Sequence, residues 1–368
     1  MTATPDALRR VGVVARLAGR ALLRRLSGAT PPFADDRSFR ETLAPWLAEL
    51  PGDVLADHRL HYLPARRPPW FDSGIDVVAG EEVTLLADGR VYLSRLLDLW
   101  VAPSFQLWCR IGERGPVFRG TRSTHTFKAA APGRLWLASY FPGEWASADG
   151  RLATPPGDYA KVSGGLSVCV LKWRPGVDTA AAFRQFAKDT RIPGLVLVEA
   201  ERHDQPVATP EHWEYLWYLG PGEIYRPGAA RDGRATICCH THGDVGILRR
   251  EARLPLAPGA RLRWSWRVDE LPMDLAEDTL PSHDYLSIAV EFDDGQDITY
   301  YWSATLPEGT VYRCPLPTWK DKETHVVVRS GRGQLGEWLA EERGLHADYS
   351  RIIGGPAREV LRVWLIAN

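Results

Sequence analysis

The stretch WFDSGIDVVAGEEVTLL, residues 70–86, decides the fold class. Helical spacing of apolar residues stops at Trp70, and short alternating runs cut by Gly, Pro and Asp turns take its place. Such runs lie at Ile75–Val78, Val83–Leu86, Val91–Leu93, Phe105–Cys109, Leu135–Ser139 and Leu166–Val170. Many short strands at this spacing predict an all-β sandwich. After Trp213 the strand signals return at Ala235–Cys239, Leu262–Val268, Leu286–Phe292, Ile298–Trp302, His325–Arg329 and Val360–Ile366, which predicts a second β domain.

Upstream of Trp70 the pattern is helical. Leu8, Val11, Val14, Ala18, Ala21, Leu22 and Leu26 share one helical face, and Arg9, Arg10, Arg16, Arg20 and Arg24 share the other. This basic amphipathic helix has two readings, attachment of residues 8–26 to an anionic membrane surface or docking of the apolar face on the protein itself. Arg16 and Arg20 interrupt the apolar run that a secretory signal requires, so the expected location is cytoplasmic, with peripheral membrane contact as the open question. Ser38 and Glu41 have capping-box spacing and open a second helix that runs to about Leu50, before Pro51 and Gly52. A third helix fits Thr179–Thr190, ended by Pro193 and Gly194, and a fourth fits Glu337–Glu342. The predicted division is a helical segment over 1–68, a sandwich over 69–175, a linker with a helix over 176–212 and a second sandwich over 213–368.

Composition narrows the function classes. At 368 residues with 45% hydrophobic and 25% charged side chains, the chain can bury a core in each of two domains. No run approaches the ~20 uncharged apolar residues of a membrane-spanning helix. The net charge is −1, but residues 1–30 hold six Arg against Asp6, which leaves the remainder acidic and argues against a nucleic-acid surface. Cys109, Cys169, Cys238, Cys239 and Cys314 are odd in number and lack CxxC spacing, so they read as buried small hydrophobes in a reducing compartment. Fifteen Trp exceed ordinary usage and point to stacking surfaces as well as core.

Two resemblances follow from particular words of the sequence. Trp70, Ser73–Val77, Gly80–Thr84, Ile111–Gly112 and Gly133–Leu137 resemble the framework of the galactophilic bacterial lectins with calcium-assisted sugar sites. The resemblance implies a sandwich of the galactose-binding type. Those lectins carry an Asn- and Asp-rich ligand loop, whereas Tyr140–Asp149 has no Asn here, and the aspartates left nearby, Asp149 and Asp158, also suit Asx turns. Leu262–Asp269, Leu271–Pro272, His283–Tyr285, Tyr300–Trp302, Val326–Gly331, Gly336–Trp338, Arg343 and Asp348–Tyr349 resemble a bacterial domain family of unknown function, over about residues 235–368. This second resemblance implies no chemistry. It departs from the family at His283, where an aspartate is expected before Asp284, and at His240–Asp244, where a Ser- and Gly-rich strand is expected.

Three sets of side chains are candidates for chemistry. On a strand, His240, His242 and Asp244 project to one face, and imidazole with carboxylate at that spacing suits a divalent metal, with His283 or His325 as a further ligand. Without metal, His242 with Asp244, or His283 with Asp284, forms a general base with Tyr285 or Tyr301 as proton donor. His242–Asp244 also fits a plain turn. Trp264 with Trp266, and Tyr300 with Trp302, alternate onto strand faces, and with Glu291 beside them they form either a stacking surface for a ligand or packed core. There is no GxSxG elbow, phosphate-cradling glycine loop or dinucleotide fingerprint. The expectation is a mainly β protein of two jelly-roll or galactose-binding-like sandwiches that recognises a small molecule, a glycan or polyol first. The alternative is an enzyme without an organic cofactor, such as a lyase, hydratase, cyclase or hydrolase, with its site in the second sandwich or between domains.

Overall fold

The computed structural model describes residues 5–27, 35–67, 69–140, 145–188, 193–229, 232–241, 245–279, 285–316 and 319–367, of which 5–10 are described by backbone alone. In chain order the first elements are α1 (Pro5–Ser27), α2 (Asp36–Glu49), β1 (Leu55–Pro64), β2 (Trp70–Val77), β3 (Glu82–Ser94), β4 (Leu99–Val101), α3 (Pro103–Gln106), β5 (Leu107–Ile111), β6 (Phe118–Arg119), β7 (Thr124–Lys128), β8 (Gly133–Ser139) and β9 (Ser163–Trp173). There follow α4 (Thr179–Phe186), α5 (Gly194–Asp204), β10 (Glu214–Tyr215), β11 (Tyr225–Ala229), β12 (Ala235–Cys239), β13 (Gly246–Pro255), β14 (Arg261–Trp266), β15 (Leu286–Phe292), β16 (Asp297–Ser303), β17 (Val311–Arg313), β18 (Glu323–Ser330), β19 (Leu339–Gly344), α6 (Leu345–Ile352) and β20 (Glu359–Ala367). The fold is mainly β, as the alternating runs predict. Contacts divide it into two compact units, one of Ala18–Thr209 with Trp217–Asp244 and one of Met1–Leu17, Pro210–Leu216 and Val245–Asn368.

In the first unit a sheet ordered β1-β9-β3-β4, with β7 also paired to β3, faces a sheet ordered β2-β8-β5-β6. Side chains alternate along each strand, so Leu63, Val83, Leu85, Ala87, Leu166, Val168 and Val170 meet Ile75, Val77, Leu107, Cys109, Ile111, Leu135 and Leu137 in the sandwich core. The odd-register residues of β9, Cys169, Leu171 and Trp173, point the other way and are covered by Phe39, Leu43 and Trp46 of α2, Phe183 of α4 and Val196 and Ala200 of α5. This double burial explains why β9 reads as one apolar run. The outer face of the second sheet carries a separate aromatic cluster in which Trp145 stacks on Trp70 at 5.2 Å and on Tyr140 at 3.9 Å, with Trp108 edge-on at 5.7 Å. Part of the Trp excess is therefore core. Residues 217–244 group with this unit rather than with the strands that follow, and β11 pairs β12 within it.

In the second unit the strands run β10-β13-β20-β15-β16-β18-β17 in one seven-stranded sheet, with β16 and β18 parallel. A two-stranded ribbon, β14-β19, packs over one face together with α6. That face supplies Val290, Phe292, Ile298, Tyr300, Val326 and Val360 to the core.

Local details depart from the sequence reading. Asp35, not Ser38, caps α2: its carboxylate accepts from the Ser38 N–H at 2.8 Å, and Glu41 turns to Arg37 at 2.7 Å. The helix fitted to Thr179–Thr190 ends at Phe186, and Pro193 stands at the N-cap of α5 instead of closing a helix. The helix expected over Glu337–Glu342 is largely strand β19, because Glu342 pairs with Arg263 at 2.6 Å and Trp266 donates to Glu341 at 3.1 Å across the ribbon. The face of α1 that is buried carries Val13, Leu17 and Ala21, whereas Val11, Val14, Leu22 and Leu26 of the predicted apolar face are exposed. Cys238 and Cys239 are exposed on β12, so only Cys109, Cys169 and Cys314 fit the expectation of burial.

Candidate functional site

Three glycines shape the candidate site, which lies in the first unit. Gly89 in β3 has φ 131°, Gly164 at the start of β9 has φ 91°, and Gly165 follows it. The antiparallel register sets Gly165 opposite Arg90 on one side and Pro64 on the other. A Cβ at Gly164 would lie 2.2 Å from the Arg90 carbonyl, one at Gly165 2.5 Å from the Leu63 carbonyl, and one at Gly89 2.4 Å from the Gly165 carbonyl. Bare backbone is therefore obligatory here, and it makes the floor of a cleft.

The walls are side chains. Tyr62 of β1 leans over Gly165 and is 42% exposed, and Tyr92 of β3 lies against Gly164. The Arg95 guanidinium stacks on Tyr92 at 4.4 Å and donates to Ser163 at 3.0 Å, and Arg90 stacks on Trp100 at 4.1 Å. The N-terminus of α2 closes the cleft with Asp35, Asp36 and Arg37. Asp36 is oriented by Ser167, which donates at 3.0 Å, and by Arg40, which donates at 2.8 Å. The Ser38 backbone N–H, with its side chain and Arg37, holds the Asp35 carboxyl below the ordinary carboxylate range. The cleft encloses about 600 Å³. That volume lies within the ~300 to 1,000 Å³ of small-molecule sites. Chemically it offers two aromatic faces, two carboxylates, three guanidinium groups and a flat peptide floor.

The residues singled out from sequence have other placements. His242, Asp244, His283 and Asp284 lie outside the described residues; His240 is exposed, and its N–H donates to the Ile224 carbonyl at 2.8 Å. Trp264 stacks near Tyr300 at 5.8 Å and Trp266 near Trp302 at 5.7 Å, with Tyr300 and Trp302 almost fully buried. These four rings pack the ribbon onto the seven-stranded sheet, the packed-core alternative of the two readings. Glu291 accepts from Arg362 at 2.9 Å and from the Trp364 indole N–H at 3.1 Å. The cleft residues Tyr62, Tyr92, Asp36 and Arg95 were missed. Their signal was the doubled glycine before the apolar run of β9 and the isolated Gly89 inside a strand pattern.

Tyr285 leads to a second constellation, on the face of the seven-stranded sheet opposite the ribbon. Glu323 and His325 of β18, and Thr299 and Tyr301 of β16, share that face by the period of two. Glu323 accepts from Tyr285 at 3.0 Å and from Thr299 at 2.8 Å, and its other oxygen is 3.5 Å from His325 Nε2. Tyr312 stacks flat on the His325 ring at 4.9 Å, and Tyr285 and Tyr301 meet it edge-on. Cys314 joins the group through its backbone N–H, which donates to the Glu323 carbonyl at 3.0 Å. Burial works against the Glu323 charge, but the imidazole of His325 and hydrogen bonds from His325, Cys314 and Thr299 outweigh it and hold the carboxyl low. Burial and the Glu323 charge together push Asp297 well up. Burial also raises the Tyr285 hydroxyl far above its ordinary range, so it is no ready proton donor to solvent.

Comparison with known proteins finds one family model, over C-terminal residues. Residues 212–368 match the model of a family described as Protein of unknown function (DUF3047). The match agrees with the resemblance read over about residues 235–368 and brings no activity with it. No curated protein matches the chain. Among solved structures, one titled "EclA N-terminal domain; PllA-like lectin" is 18% identical with a TM-score of 0.25, covering 33% of this chain and 99% of that one. A functionally unknown conserved protein from Bacillus anthracis str. Ames is 15% identical with a TM-score of 0.19, covering 36% of this chain and 27% of that one.

Proposed function

We propose that the protein recognises a small polyhydroxylated molecule, a glycan or polyol, in the cleft between Tyr62, Tyr92 and the N-terminus of α2. The observation that carries this reading is the pairing of the exposed Tyr62 ring and the half-buried Tyr92 ring with oriented carboxylate and guanidinium groups over a glycine floor. A sugar presents C–H faces and hydroxyl edges. The rings suit the former, and Asp36, fixed by Ser167 and Arg40, suits the latter. Acidic and basic groups are both present, which favours a neutral ligand over a polyanion.

Calorimetric titration of the full chain with a panel of neutral monosaccharides, acidic sugars and linear polyols tests it. The reading expects saturable binding of a neutral member, weakened about fivefold or more in Tyr62→Ala, because a stacked aromatic contact contributes about 1 kcal/mol or more. Binding that Tyr62→Ala leaves intact, or no binding across the panel, would contradict it.

Residues 8–26 support a separate contact with an anionic membrane surface, favoured by the exposure of Val11, Val14, Leu22, Leu23 and Leu26 among arginines. Among the described residues no helix is long and apolar enough to cross a membrane. Co-sedimentation with phosphatidylserine vesicles, lost in Leu22→Ser with Leu23→Ser, is the expected result; equal recovery with neutral vesicles would count against it.

A further inference from the structure

We propose that Cys314, Glu323 and His325 form a binding site for a tetrahedral divalent cation, zinc by its ligand chemistry. Their ligand atoms lie within 4.8 Å of one another, and all three side chains are buried. Thiolate, imidazole and carboxylate are the three ligand types that zinc takes together, and a set with one sulfur and one nitrogen disfavours magnesium and calcium. The separation of His325 Nε2 from Glu323 Oε2, 3.5 Å, matches the edge of a zinc tetrahedron, about 3.4 Å for metal bonds near 2.1 Å.

The surroundings are those of a held ligand set. Glu323 Oε1 is engaged by Tyr285 and Thr299, which leaves Oε2 directed at His325. The His325 ring is fixed between Tyr312, Tyr285 and Tyr301. Such outer partners orient first ligands and raise metal affinity. The backbone contributes as well: β18 places Glu323 and His325 two residues apart on one face, and the Cys314 to Glu323 backbone hydrogen bond brings the chain after β17 against the start of β18. Binding would displace one proton, that of the Cys314 thiol, to bulk water, while His325 would bind as neutral imidazole through Nε2 and Glu323 as carboxylate. The ligands lie deep inside the unit, Cys314 1% and His325 0% exposed, and three of them leave the fourth tetrahedral position to a water.

This site is distinct from the His240, His242 and Asp244 set read from sequence, so the test must separate them. The unmodified full chain is loaded with CoCl2 or ZnCl2, freed of excess ion, and measured by elemental analysis and absorbance. The proposal expects about one ion per chain, a thiolate-to-cobalt charge-transfer band, and intense visible bands of tetrahedral cobalt. Both signals should survive His240→Ala with His242→Ala, and Cys238→Ser with Cys239→Ser, and fall below a tenth in Cys314→Ser and in His325→Gln. Tyr285→Phe should weaken zinc about tenfold while still binding it. A chain that takes up no ion, that binds cobalt without a thiolate band, or that keeps its ion in Cys314→Ser would overturn the proposal. The cobalt spectrum of the Cys238→Ser with Cys239→Ser chain, which keeps all three proposed ligands, decides even where Cys314→Ser or His325→Gln does not fold.

Discussion

At the scale of single residues, several side chains prominent in the sequence turn out to be committed to packing or pairing, while those that line the cleft are less conspicuous. Glu291 and the paired tryptophans carry the chemistry of a binding face but are consumed by Arg362, Trp364 and the ribbon contact. Tyr62 carries no unusual neighbours in sequence, and only the register of β1 against Gly165 gives it a place. Single residues also set the pH response. Burial, with the Arg202 charge nearby, pushes the His125 imidazole down to about 4. The unfolded chain takes up that proton near pH 6.5, so the first unit should be at full stability above about pH 6.5 and lose stability as pH falls toward 4. Urea midpoints between pH 7 and 4.5 should show this slope, and His125→Asn should flatten it; an unchanged slope would assign the acid loss to other groups. Glu199, held low by Arg202 and Thr126 against its own burial, adds loss only at more acid pH.

At the scale of elements, strands were legible and their partners were not. β12 and β15 have the bounds their alternation gives, and β16, β18 and β20 extend theirs by only a residue or two at either end. β1 was missed because the apolar residues of Leu55–Pro64 are interrupted by Asp57, His58, Arg59 and His61, and its strand character comes from pairing with β9 along its length. β19 is the opposite case, in which helix-prone residues are recruited by cross-strand pairs with Arg263 and Trp266. The ribbon also yields a prediction. Because Trp264 packs against Tyr300 and the core of the second unit, Trp264→Ala should cost about 3 to 5 kcal/mol in chemical denaturation and leave ligand binding in the cleft unchanged. Lost ligand binding at unchanged stability would restore the aromatic-groove reading.

At the scale of the whole molecule, two units each build their own core, and each holds one candidate site of a different kind. The first site was out of reach of sequence because it is made where β1, β3, β9 and the start of α2 converge, four segments spread over residues 35–167. The cluster in the second unit was half legible: His325 and Tyr285 were named, but Cys314 and Glu323 join them only through the parallel pairing of β16 with β18 and the turn that leads from β17. The central claim is that the glycine-floored cleft is where a polyhydroxylated ligand sits. Its most direct test is a crystal structure of the full chain with the tightest-binding member of the sugar and polyol panel. The account predicts ligand density over Gly164 and Gly165, with a C–H face on Tyr62 or Tyr92 and hydroxyls on Asp36. Density anywhere else on the molecule, with the cleft empty, would contradict it.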